Sequence, residues 1–331
     1  MEKQVLGRTG RLVSVVGLGT WQLGADWGSV TDDQARAVLD ASLESGVTFF
    51  DTADVYGDGR SEQAVGAFRA DHANAGITVA TKMGRRMDQV PENYVLENFR
   101  EWTDRSRRNL GMETLDLVQL HCPPTAVYSS DEVYDALDTL VEEGVTAAYG
   151  VSVETVDEAL TAIARPGVAT VQIILNAFRL KPLDEVLPAA SEAGVGIIAR
   201  VPLASGLLSG RYTHETTFAD DDHRTFNRKG EAFDVGETFS GVPFDVGVDA
   251  AARFTELAGT ALNQDLTPAQ AAIAWVWQRA GVSTVIPGAR SPEQARLNAA
   301  AGSAQVLGPL FTSGVREIYD DSIKEHVQDK W

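Results

Sequence analysis

Asp51, Tyr56, Lys82 and His121 are residues of the kinds that move protons, and each stands at or just beyond the end of a strand-like run. Together they could reduce a carbonyl group, which needs a hydride on carbon and a proton on oxygen. A tyrosine hydroxyl can give the proton, but its ordinary pKa is about 10. An ammonium beside it stabilises phenolate and lowers that value, so Lys82 reads as a tuner of Tyr56. A buried lysine needs a partner, and Asp51 offers a carboxylate. A neutral histidine can donate a hydrogen bond to the carbonyl oxygen and orient it, which gives His121 a place. Singly, each has a plainer account as a helix cap, a surface charge, rim packing or a satisfied core histidine. Their arrival at successive strand ends favours the catalytic account.

Those strand ends come from a regular alternation. Short apolar, β-branched runs occur at Val15–Leu18, Val47–Asp51, Ile77–Thr81, Leu115–Leu120, Ala147–Val151, Thr170–Leu175, Gly196–Val201 and Ser283–Pro287. Amphipathic stretches of helical length lie between them: Asp32–Glu44, Ser61–Ala70, Pro91–Leu110, Asp131–Glu143, Glu154–Ile163, Leu183–Ala193, Pro268–Ala280 and Pro292–Ala300. Near-continuous apolar strands alternating with helices predict a parallel α/β sheet covered by helices. Eight such units fit a closed (β/α)8 TIM barrel better than an open sheet, and place the active site at the C-terminal strand ends.

Four segments stand outside the scheme. Gln4–Val13 reads as a β-hairpin turning at Arg8-Thr9-Gly10 and plugging the barrel bottom. Ala204–Val248 is a long Gly- and Asp-rich insertion, either a lid or a loop without fixed structure. Asp249–Leu262 and Gly314–Val327 read as extra helices. No linker is visible, so residues 1–331 are expected to form a single barrel domain.

Composition narrows the partners. The chain is 44% hydrophobic with a formal net charge of −19, a balance that repels nucleic acid and anionic lipid. No apolar run approaches the roughly 20 residues of a spanning helix, and Met1-Glu2-Lys3-Gln4 lacks an apolar leader, so a cytoplasmic location is expected. Cys122 is the only cysteine; no disulfide and no metal site are expected. A nucleophilic Cys122 beside His121 is conceivable, but neighbours on a strand face opposite ways, and a small buried side chain is the preferred reading.

The stretches Asp51-Thr52-Ala53-Asp54-Val55-Tyr56-Gly57, Ala80-Thr81-Lys82 and Leu115-Asp116-Leu117-Val118-Gln119-Leu120-His121 closely resemble the aldo-keto reductase family. The likeness runs from Gly17-Leu18-Gly19-Thr20-Trp21 to Ile286-Pro287-Gly288-Ala289-Arg290-Ser291. It implies the same (β/α)8 barrel, a catalytic tetrad of Asp51, Tyr56, Lys82 and His121, and NADPH (as NADPH/NADP+) bound across the rim without a Rossmann fold. Keeping His121 points to carbonyl chemistry, because family members that reduce carbon–carbon double bonds carry Glu there. A Rossmann glycine motif is a weak competitor, since Gln22 stands where its third glycine belongs.

The resemblance also implies cofactor contacts. They are Gly19, Thr20, Trp21 and Asp51; Ser152 and Gln172 on the nicotinamide carboxamide; Arg200, Val201, Pro202, Leu203, Ser205 and Gly206 at and after the seventh strand; and Gly288, Ala289, Arg290, Gln294 and Asn298 toward the adenosine. Val153 replaces the asparagine that often follows the serine. Arg200 replaces an aromatic ring, so a guanidinium plane could stack there instead, or form a salt bridge at the rim. Many NADPH-specific members have Lys-Ser at 288 and 289 and Arg at 294. Their absence keeps NADH in play, while Arg290 and the helix starting near Pro292 can still meet a 2′-phosphate. The substrate, a small carbonyl compound, is expected to meet Trp21, Trp27, Tyr56, His121 and Cys122. Two other readings compete: an NADPH-binding redox-sensing module, a role this fold plays in the potassium-channel β subunit, and an NAD-linked sugar or alcohol dehydrogenase.

Overall fold

The computed structural model describes residues 1–24 and 30–331; Trp27 lies outside the described residues. Strands β1 (Lys3–Val5) and β2 (Leu12–Ser14) form an antiparallel hairpin. Strands β3 (Leu18–Gly19), β4 (Phe49–Asp51), β5 (Thr78–Met83), β6 (Leu117–His121), β7 (Tyr149–Ser152), β8 (Val168–Ile174), β9 (Gly196–Arg200) and β10 (Val282–Val285) pair in parallel in chain order. The first and last strand regions then meet. Gly17 N–H donates to Val285 O at 2.8 Å, Val285 N–H to Val15 O at 2.9 Å, and Gly19 N–H to Pro287 O at 3.1 Å. These bonds close the eight-stranded sheet into the expected barrel.

Twelve helices are described: α1 (Asp32–Glu44), α2 (Arg60–Asp71), α3 (Leu96–Leu110), α4 (Asp131–Glu142), α5 (Val156–Ile163), α6 (Val186–Ala193), α7 (His223–Phe226), α8 (Phe244–Ala261), α9 (Pro268–Trp277), α10 (Pro292–Ala300), α11 (Pro309–Ile318) and α12 (Lys324–Val327). α1 starts where expected because Thr31 and Gln34 form a reciprocal capping box, worth about 1 kcal/mol. α5 starts two residues later than the sequence suggested, because Thr155 caps it with Glu158. α3 is also shorter than expected: Val95 is extended, which cuts the turn at Pro91–Asn93 off from the helix. α8 begins at Phe244 rather than Asp249.

Two apolar layers hold the barrel. Leu6, Val13, Phe49, Ala80, Leu117, Ile198 and Ile286 form a small cluster, while a much larger one joins strands to helices. The hairpin plugs the lower end as expected. Arg8 donates to the carbonyls of Arg165, Pro166, Val168 and Ala193, satisfying backbone groups that strand and helix ends leave open. Gly7 must be glycine: it has φ 48°, and a Cβ there would lie 2.1 Å from Gly196 N.

The long insertion is folded. Tyr212, Phe218, Phe239 and Phe244 pack with ring centroids 5.1–6.4 Å apart, and Arg224 lies over Phe218 at 4.4 Å. This miniature core, rather than regular secondary structure, fixes the segment.

Candidate active site

Strand register gathers the chemistry. Asp51 ends β4 opposite Ala80, Lys82 of β5 lies opposite Gln119, and His121 ends β6 opposite Ser152, itself opposite Gln172 of β8. Lys82 Nζ donates to Asp51 Oδ2 at 2.5 Å, to Thr52 O at 2.9 Å and to the Tyr56 hydroxyl at 3.4 Å. The other carboxylate oxygen of Asp51 accepts from Gln172 Nε2 at 2.8 Å and Gln119 Nε2 at 3.3 Å. A buried ion pair is tolerable when its remaining lone pairs are filled in this way.

Tyr56 begins a tight turn, Tyr56–Gly59, in which Gly57 has φ 58° and Asp58 φ 51°. A Cβ at Gly57 would lie 2.0 Å from Gly24 O, so glycine lets this turn press on the loop after β3. Burial raises the Tyr56 pKa above its ordinary 10; Lys82 pulls it down, and Asp51 and Glu237 push it further up. The net direction is opposite to the one expected from lysine proximity alone. In a dry site the cost of a bare phenolate exceeds the attraction of an ammonium already shared with Asp51. Lys82 behaves conversely: burial would lower it, but Asp51 and Tyr56 raise it. At neutral pH the pair is therefore a protonated phenol beside an ammonium.

His121 packs edge-on to Tyr56, with centroids 5.9 Å apart. Burial, with Arg85, Lys82 and Arg200, holds its pKa well below 6.5, so the ring is neutral. Its Nδ1 is buried with no hydrogen-bond partner among the described residues, and Arg85 donates to its backbone carbonyl at 2.9 Å. Cys122, with φ 46°, turns the chain off the strand. Its Sγ donates to Ser152 Oγ at 3.3 Å, and burial pushes the thiol up to about 12. The protonated thiol fits the small buried side chain expected, not a nucleophile.

Arg200, at the end of β9, is bracketed by carboxylates. Nη2 meets Glu154 Oε2 at 2.9 Å and Val153 O at 2.9 Å, and Nη1 meets Glu237 Oε1. Of the two accounts open to Arg200, the structure shows the salt bridge. Glu237 comes from the insertion, so this bridge ties insertion to barrel. Burial is the largest influence on both carboxyls: it leaves Glu237 raised, whereas Arg200 and Arg85 hold Glu154 below its ordinary range.

A cavity of about 360 Å3 opens over these groups. Its lining includes Gly19, Thr20, Trp21, Asp51, Tyr56, His121, Cys122, Ser152, Gln172, Arg200, Val201, Pro202, Leu203, Ser205, Gly206, Gly288, Ala289, Arg290 and Gln294. Lys82 lies beneath the floor, reaching Tyr56 from behind. Asn298 is not in the lining; its Nδ2 holds the Gly288 carbonyl at 3.1 Å. Trp21 lies 5.3 Å from His223 and 5.8 Å from Phe233, ring to ring, so the insertion roofs the loop after β3.

Comparison with known proteins agrees with this geometry. Residues 15–319 match the sequence pattern described as the aldo/keto reductase family. The chain belongs to that family. It is 32% identical over 305 residues to an uncharacterized oxidoreductase of Mycobacterium tuberculosis, covering 89% of this chain and 86% of that protein. It is 30% identical to a probable voltage-gated potassium channel subunit beta of rice, covering 100% and 98%. The holo form of an aldo-keto reductase from Bacillus halodurans superimposes with a TM-score of 0.77 at 25% identity, covering 99% and 100%.

Within this aldo-keto reductase, sequence reasoning missed several lining residues. Gln22, Tyr212, His223, Arg224 and Glu237 all face the cavity. Four of them lie in the insertion, where no periodicity marks an inward face. Gln22 had one signal, its place directly after Trp21; in the fold its amide packs on Gly288, where a Cβ would lie 2.2 Å from its Nε2. Burial drives His223 down to about 4, which makes it a neutral wall. No cluster of metal-ligating side chains and no helix long and apolar enough to cross a membrane occurs among the described residues.

Proposed function

We propose that the protein reduces aldehydes and ketones with NADPH, and that Tyr56 delivers the proton. The observation that carries this reading is the buried relay in which Lys82 touches both Asp51 and Tyr56 under a cavity shared with His121. The lining fits a dinucleotide. Proton donors stand at one end, a turn with left-handed residues at Ala204, Ser205 and Gly206 lies along the wall, and Arg290 stands beside the N-terminus of α10 at the other. Ser152 and the carbonyl oxygen of Gln172 would hold the carboxamide, because the Gln172 amide nitrogen is committed to Asp51. The backbone after β9 would face the pyrophosphate. Bound there, NADPH supplies the hydride.

The remaining work falls to side chains of the chain. Neutral His121 donates a hydrogen bond to the substrate carbonyl oxygen and fixes its position. Tyr56, kept protonated by burial, gives its proton to that oxygen. The phenolate left behind is stabilised by the Lys82 ammonium at 3.4 Å, and Asp51 keeps that ammonium in place. The insertion covers Trp21 through His223 and Phe233, and shielding the site from water in this way would strengthen each of these interactions.

The test is NADPH oxidation by purified protein with a panel of aldehydes, ketones and α-dicarbonyls, with NADH run alongside. Replacing Tyr56→Phe should lower kcat by about 10^2 to 10^4 while NADPH binding, followed by fluorescence, persists. An unchanged chemical rate in that variant would refute Tyr56 as the acid. Tight NADPH binding without turnover of any carbonyl would favour a cofactor-sensing module.

A further inference from the structure

Glu237 is an odd residue for its place. It is a carboxylate carried on the insertion, yet it lines the reacting end of the cavity with Tyr56, His121 and Cys122. We infer that Glu237 is a specificity-determining residue that closes this end to carboxylate-bearing carbonyl compounds and reserves it for uncharged ones, an inference that rests on the carbonyl-reduction reading.

A carboxylate is held most strongly by a guanidinium fork or an ammonium with donors to spare. Arg200 is the guanidinium beside Cys122, with Nη2 3.9 Å from Sγ. Both of its terminal nitrogens are paired, Nη1 with Glu237 and Nη2 with Glu154 and the Val153 carbonyl. Its Nε is buried, with no hydrogen-bond partner among the described residues. The other nearby cations are committed too. Lys82 serves Asp51 and Tyr56. Arg85 holds the His121 carbonyl and faces Glu154. Arg224 forks onto Asp222 and meets Tyr212, which stands on Ser205. An anion beside Tyr56 would therefore meet the Glu237 carboxylate with only the neutral Tyr56 and His121 donors, and no cationic fork, to receive it.

Glu237 is also held firmly. Its carbonyl accepts from Ser205 Oγ at 3.0 Å, and the same hydroxyl accepts from Phe239 N–H at 3.0 Å. Three residues upstream, Asp234 accepts from Trp331 Nε1 at 3.0 Å, and the Trp331 ring lies 3.6 Å from the Arg179 guanidinium carbon. A Cβ on Gly241 would lie 2.2 Å from that ring. Trp331 thus pins the segment from both sides without lining the cavity, and acts as a positioning residue for Glu237.

Paired ligands of one shape and two charges test the inference. Benzoate and benzamide are titrated calorimetrically into NADPH-loaded wild type, Glu237→Gln and Trp331→Ala. The Glu237→Gln change removes the charge and keeps the shape. The affinity ratio of benzoate to benzamide should rise roughly tenfold, the scale of one nearby charge removed from a half-dry site, and Trp331→Ala should shift it the same way. Turnover of 4-carboxybenzaldehyde against 4-nitrobenzaldehyde should move in parallel. An unchanged ratio in Glu237→Gln overturns the inference, as does failure of both ligands to bind any of the proteins. If benzamide binds but neither aldehyde is reduced, carbonyl reduction fails as a reading, while the benzoate ratio still judges Glu237.

Discussion

Lys82 Nζ lies 2.5 Å from Asp51 Oδ2 in a pair whose side chains are only 1% and 3% exposed. Taking away one partner leaves an uncompensated buried charge, which costs about 3–5 kcal/mol. Asp51→Asn should therefore destabilise the fold and lower kcat about 100-fold, because Lys82 loses the anchor that holds it under Tyr56. The raised Lys82 pKa contributes stability that is fully present below its unfolded value and lost as pH rises through the folded value. The stability gap between wild type and variant should then be constant through neutral pH and narrow only in alkali. Denaturant titrations at pH 7 and in alkali measure it; equal stability at pH 7 would show that the pair does not hold the site.

The pH profile of carbonyl reduction follows from two opposite shifts. Tyr56 must be protonated to act, and its pKa is raised above 10. His121 must be neutral, and its pKa is held well below 6.5. Reductive kcat at saturating NADPH should stay flat between about pH 7 and 9 and fall only above about 10, with no step at the ordinary histidine value. A decline that begins below pH 9 would take the proton-donor role away from a buried Tyr56.

Asp54 should behave as a stability switch. It is fully buried, no side-chain donor reaches either carboxylate oxygen among the described residues, and burial with Glu62 raises its pKa from 3.8 to about 7. Arg86, Arg105 and the Val55 backbone N–H pull the other way without prevailing. Between the unfolded and folded values the native chain keeps a proton that the unfolded chain releases. Stability is thus lost as pH rises from about 4 to about 7, by about 1.4 kcal/mol per unit. Asp54→Asn fixes the neutral form, so it should be more stable than wild type at pH 8, by roughly 2–4 kcal/mol, and nearly equal to it at pH 4. Chemical denaturation at the two pH values decides this, and the reverse order would mean that Asp54 is charged in the fold.

How much of this was legible in the sequence depended on whether the signal was local. The strand ends at Asp51 and His121, the α1 cap at Thr31 and the eight-fold alternation all rest on neighbouring residues, and each stands where the sequence put it. The start of α5 was misplaced by two residues although Thr155 and Glu158 stand at the capping-box spacing, a local signal of a helix start that the reading passed over. The direction of the Tyr56 shift was not legible, because burial is a property of the whole barrel and outweighs one neighbouring lysine. Nor was Glu237: its partner Arg200 lies 37 residues away, and the insertion between them is ordered by aromatic packing that follows no period. Tertiary contacts decided these cases, and single-residue spacing carries none of that information.

Arg290 offers the sharpest test of cofactor choice. Its backbone N–H is fixed by Gln294 Oε1 at 2.8 Å, and Ser291 caps α10 immediately after it. This places the guanidinium at a helix N-terminus, where both the charge and the open N–H groups favour a phosphate. The Lys-Ser pair that many NADPH-specific relatives are expected to use is replaced by Gly288 and Ala289, so selectivity for a 2′-phosphate should rest on Arg290. A charge-assisted hydrogen bond is worth about 1.5–3 kcal/mol. Arg290→Ala should therefore weaken NADPH binding by roughly ten- to a hundredfold and leave NADH, which lacks that phosphate, nearly unchanged. Fluorescence titration of both cofactors against both proteins reads the difference. Equal loss for NADPH and NADH would make Arg290 a structural support of the turn, and no loss for either would move the 2′-phosphate site elsewhere on the rim.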